Sequence, residues 1–67
     1  MELEWETSSQ GFSSLYCGGM LLAYITNNVS EAVLGINNKQ VIRHEFQSDT
    51  TLEEAKLVVE AMIRLEG

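Results

Sequence analysis

Residues 2–7 alternate acidic and less polar side chains: Leu3, Trp5 and Thr7 fall on one side, Glu2, Glu4 and Glu6 on the other. A period of two predicts a half-buried strand, because successive side chains point to opposite faces. Ser, Gln and Gly across residues 8–11 predict a turn. Residues 12–17 make a second, weaker strand pattern, and Gly18-Gly19 predicts a tight hairpin, since both residues accept positive φ. Residues 20–26 form a strongly apolar strand that Asn27-Asn28 interrupts. The next strand covers residues 31–36, with Ala32, Leu34 and Ile36 facing one way. Asn37-Asn38 predicts another hairpin turn, as Asn tolerates the left-handed region. Residues 40–47 alternate again, with Ile42, His44 and Phe46 opposite Val41, Arg43 and Glu45.

The period then changes from two to 3.6. Thr50-x-x-Glu53 and Thr51-x-x-Glu54 both fit a capping box, in which hydroxyl and carboxylate satisfy free N–H groups at a helix start. Glu53 and Glu54 suit the positive end of the helix dipole, and Glu60 can pair with Arg64 one turn on. At 100° per residue, Leu52, Ala55, Val59, Met62 and Ile63 share one arc, with Val58 at its edge. That arc should bury against the sheet. Leu57 falls almost opposite, and Ala61 and Leu65 lie between it and Val58. The apolar surface is therefore wider than one stripe. The expected fold is α+β: a single domain over residues 1–67, with a four- to five-stranded antiparallel sheet at about 2–47. One C-terminal amphipathic helix, at about 51–65, packs on one face.

Size and charge narrow the function. A 67-residue chain buries about 60% of the surface that its unfolded form exposes, so its core is thin. Cys17 is the one cysteine and His44 the one histidine, which excludes an intrachain disulfide and a Cys/His zinc cluster. No cofactor or metal is expected. Association is the remaining route to extra stability, which favours a homodimer. Four Lys+Arg against ten Asp+Glu give a net charge of −6. Lys39, Arg43, Lys56 and Arg64 are scattered, so no basic patch forms to neutralise a phosphate backbone or an anionic membrane. The acidic opening MELEWE does not read as a signal peptide, and the apolar run at residues 20–25 is too short to span a bilayer. With one thiol, a cytoplasmic location is expected. The expected partner is a protein: one that itself binds nucleic acid, or a second copy of the chain.

Candidate chemistry is sparse. Cys17 and His44 are the available nucleophile and base, but Cys17 before a glycine turn reads as a small buried hydrophobe. His44, between Ile42 and Phe46 on one strand face, reads as a partly buried, hydrogen-bonded histidine. Gly18-Gly19 lacks the spacing and the Lys-Ser/Thr of a phosphate loop. Asn28-Val29-Ser30 matches a glycosylation pattern by coincidence. No enzymatic activity is expected.

Two surfaces remain. Glu2, Glu4 and Glu6 project from one strand face at about 6.8 Å intervals, a spacing that can imitate a phosphate strand. A solvated face that discourages edge-to-edge aggregation is the simpler reading. Glu31, Glu45 and Asp49 appear isolated in the sequence. On the helix, Leu57, Ala61 and Leu65 line up at i, i+4 and i+8 as a candidate contact, set against the ordinary exposure of some leucine on any small protein. Trp5 is expected to anchor the core under the helix, with an interface role as its alternative.

Trp5 on an early strand, the Gly-punctuated strands and the helix opening Thr51-Leu52-Glu53-Glu54-Ala55-Lys56 resemble small phage- and prophage-encoded proteins with a β-meander and one terminal helix. The helix opening carries most of this resemblance. It implies inhibition of a host protein, such as a defence component, by surface occlusion, as with anti-CRISPR and anti-restriction proteins. The expected residues are Glu2, Glu4 and Glu6 as an electrostatic face and Leu57, Ala61 and Leu65 as an apolar contact. The alternative is a homodimeric structural module paired through its helices.

Overall fold

The computed structural model describes residues 2–35 and 41–66. Five strands precede one helix: β1 (Glu4–Thr7), β2 (Ser13–Cys17), β3 (Met20–Ile25), β4 (Glu31–Leu34), β5 (Ile42–Glu45) and α1 (Leu52–Glu66). The strands form one antiparallel meander in the order β1-β2-β3-β4-β5. This is the α+β fold expected from the pattern, and each strand is shorter than its alternating stretch. Strand β4 ends at Leu34, where Gly35 takes φ 75°. The expected Asn37-Asn38 turn and the inward placement of Ile36 lie outside the described residues.

Local chemistry sets the turns. Gly18 and Gly19 both have positive φ, 59° and 82°, the pairing that a type I′ hairpin needs. In the first turn, the Ser8 hydroxyl accepts from the N–H groups of Gln10 and Phe12, at 3.3 and 3.1 Å. Between β3 and β4, the Thr26 hydroxyl accepts from the N–H groups of Ser30 and Glu31, at 3.1 and 3.2 Å. That loop holds Val29 at φ 54°, strained for a β-branched residue, while its side chain packs on the core.

Pairing register decides which face is buried. Trp5, Leu15, Ala23, Leu34 and Ile42 stand side by side across the five strands. Thr7, Ser13, Ile25, Ala32 and His44 form the next row. Leu15, Ala23, Ile25, Ala32 and Leu34 from these rows are buried with Ala55 and Val59 of α1. Leu52, Met62 and Ile63 pack around them, so the arc read from the helix period is the buried one. The helix lies over β3 and β4.

Of the two possible capping boxes, the second forms. The Glu54 N–H donates to Thr51 Oγ1 and the Thr51 N–H donates to Glu54 Oε1, each at 3.1 Å. Thr51 is thus the cap, one residue before the helix.

One polar atom disturbs the core. Ser13 is 1% exposed and its hydroxyl finds no hydrogen-bond partner among the described residues. An unpaired buried hydroxyl costs about 1–3 kcal/mol. Ser13→Ala should therefore raise stability by about 1 kcal/mol, read as a higher urea midpoint. A lower midpoint would show that the hydroxyl contributes to the native state.

Candidate protein-binding surfaces

The sheet has a second face, away from α1. Glu6, Ser14, Tyr24, Val33 and Arg43 stand in one row across it. Glu4 is opposite Tyr16, and Glu31 is opposite Glu45. Alternation along each strand puts all of these side chains on the side that the helix does not cover. The described residues contain no second helix to cover it.

This corrects one expectation. Glu31 and Glu45 look isolated in the sequence, but the β4–β5 register makes them direct cross-strand neighbours on the face that carries Glu4 and Glu6. Like charges directly opposite one another destabilise a sheet. Glu2 is exposed just before β1. Asp49 lies in the exposed turn before α1, outside the strands.

The centre of the same face is aromatic. Phe12 and Tyr24 meet edge to face, with centroids 6.2 Å apart. Tyr16 and Tyr24 are half-buried, and Val33 is 5% exposed. A solvated antiparallel face normally carries polar residues at these outward positions. Here the edge strands supply charge (Glu4, Glu6, Arg43, Glu45), joined by Glu31 at the start of β4, and the rest of the middle strands supplies mainly aromatic and aliphatic surface. An apolar, aromatic centre inside a charged rim is the anatomy of a protein interface. Sequence reasoning missed Phe12, Tyr16 and Tyr24. Their signal was the weakness of the alternation over residues 12–17, which reflects apolar side chains on both faces.

The helix ridge is where its period placed it. Leu57 is 69% exposed, Leu65 is 87% exposed, and Ala61 is exposed between them. Val58, at 36%, borders the ridge. The ridge points away from the sheet and does not join the acidic face. The candidate contacts therefore form two separate surfaces.

Between these surfaces Trp5 acts as a tie. Its ring packs against the core, and its Nε1–H donates to Glu60 Oε2 at 2.7 Å. Lys56 Nζ sits 5.6 Å from the ring centroid, within cation–π range. Glu60 also receives the Arg64 guanidinium at 3.4 Å, the pair expected from their spacing. Trp5 thus packs on the core from the edge strand and reaches the flank of α1, which holds its polar edge; the expected position directly beneath the helix belongs to β3 and β4.

Cys17 and His44 are not brought together. Cys17 closes the β2–β3 hairpin and His44 is on β5 in the row of Ser13, three strand spacings across and four residues along the sheet, about 20 Å away. His44 is half-buried as expected, but its ring meets that of Phe46 edge to face, with centroids 5.0 Å apart, in place of the expected hydrogen bond among the described residues. No helix among the described residues is long and apolar enough to cross a membrane. Comparison with protein-family models, curated proteins and solved structures finds no match to this chain.

Proposed function

We propose that this protein is a non-enzymatic binding module that occludes a basic surface on a partner protein with the open face of its sheet. The observation that carries the reading is the composition of that face. Among the described residues, Glu4, Glu6, Glu31 and Glu45 rim it against one arginine, Arg43, around Phe12, Tyr16, Tyr24 and Val33. A positively charged surface, such as one that binds nucleic acid, matches that rim. The resemblance to small phage-encoded proteins supports a host protein, for example a defence component, as the one occluded.

The test is capture from a bacterial lysate by the wild-type chain and by a variant with Glu2, Glu4, Glu6, Glu31 and Glu45 changed to Gln. The variant should lose the captured protein, and wild-type capture should weaken as salt rises. Equal capture at all salt concentrations would remove the electrostatic reading.

Self-association is a second reading, favoured by the exposure of Leu57 and Leu65 on one ridge. Under it, Leu57→Glu halves the mass seen by sedimentation. A monomeric mass for the wild type, unchanged in the variant, eliminates this alternative.

A further inference from the structure

We infer that the occupant of the open face is a basic amphipathic helix of the partner, laid across the meander between two acidic corners. This inference rests on the binding reading above and adds to it the shape and chemistry of what binds. Glu4 and Glu6 form one corner, on the β1 edge. Glu31 and Glu45 form the diagonally opposite corner: they pair on β4–β5, two residues beyond the row that Glu6 shares with Val33 and Arg43. Glu6 and Glu45 are four strand spacings apart, about 19 Å. A helix with its side chains is about 10–12 Å across. Seated on the face centre, it places Lys or Arg on both flanks within reach of both corners, while its apolar stripe meets the aromatic centre.

Two features of the chain favour this occupant. The other sheet face already solves the same packing problem with a helix, as α1 lies over β3 and β4. A second helix would turn two layers into three and bury the Phe12–Tyr24 pair. The register also sets Glu31 and Glu45 side by side, so that one cation from a partner can reach both carboxylates. A nucleic acid is the wrong sign for this rim. A second copy of α1 offers Leu57 and Leu65 but carries Glu53 and Glu54 on its own exposed surface.

The experiment titrates the isotope-labelled full chain with a Leu/Lys amphipathic peptide of about four helical turns, and separately with its Leu/Glu counterpart. The Leu/Lys peptide should become helical and shift the amides of Phe12, Ser14, Tyr16, Tyr24 and Val33. The Leu/Glu peptide should not. Changing Glu4, Glu6, Glu31 and Glu45 to Gln should weaken binding about tenfold. Arg43→Gln should strengthen it, a gain that misfolding cannot mimic. Leu57→Ser should leave it unchanged.

Shifts confined to α1, equal binding of both peptides, or an extended bound peptide would overturn the helical, basic occupant. If that happens while open-face variants still lose the lysate partner, the binding reading stands and the occupant alone is wrong. If the variants keep that partner as well, both fall.

Discussion

Truncating Leu15 to alanine is expected to cost about 3–5 kcal/mol. Leu15 is fully buried at the centre of β2, between Trp5 on one side and Ala23 on the other. Ala23, Ala32 and Ala55 are small and equally buried, and the indole of Trp5 is held by its bond to Glu60, so the gap stays largely unfilled. A domain of this length has about 3–10 kcal/mol in total. The variant should therefore be substantially unfolded at physiological temperature, with loss of the cooperative thermal transition seen by circular dichroism. A loss below about 1 kcal/mol would mean that the core lies elsewhere.

Trp5→Ala should be nearly as severe, at about 3 kcal/mol, with a different signature. Strand β1 is an edge strand of four residues and pairs with β2 alone. Trp5 packs it onto the core and, through the 2.7 Å bond to Glu60, fastens it to α1. The alanine variant should lose hydrogen-exchange protection in β1 first, with β3 and β4 protected until global unfolding. Trp5→Phe separates the two contributions. It keeps most of the ring contact and removes the donor, so about 1–2 kcal/mol should go. Uniform loss of protection across all strands in either variant would refute the tie between β1 and α1.

The elements of the fold were legible because local chemistry and long-range packing agree. Period-two alternation found β1 and β5, Gly18-Gly19 found the β2–β3 hairpin, and the helical period found both the buried arc and the exposed ridge at Leu57 and Leu65. The register between strands was not legible. It depends on turn geometry and on one irregularity between β2 and β3, where the pairing shifts between Leu15 and Tyr16. Register is what places Glu31 against Glu45 and sets Phe12 beside Tyr24. The acidic ladder was visible as Glu2, Glu4 and Glu6, whereas the face it belongs to needed pairing information that alternation within one strand does not contain. The choice between Thr50–Glu53 and Thr51–Glu54 was equally open until the helix start was located at Leu52.

The meander order bears on how the chain assembles. Each strand pairs with its sequence neighbour, so the sheet can zip up through short loops whose closure entropy is small. The packing of α1 on the sheet is non-local, and the Trp5–Glu60 bond is its longest-range hydrogen bond among the described residues, joining residues 55 positions apart. Its closure comes after the hairpins that bring its ends together. It acts as a latch on a finished structure and contributes little to nucleation. Weakening it should then appear in the rate at which the native state opens and leave the rate at which the chain first finds its fold nearly unchanged.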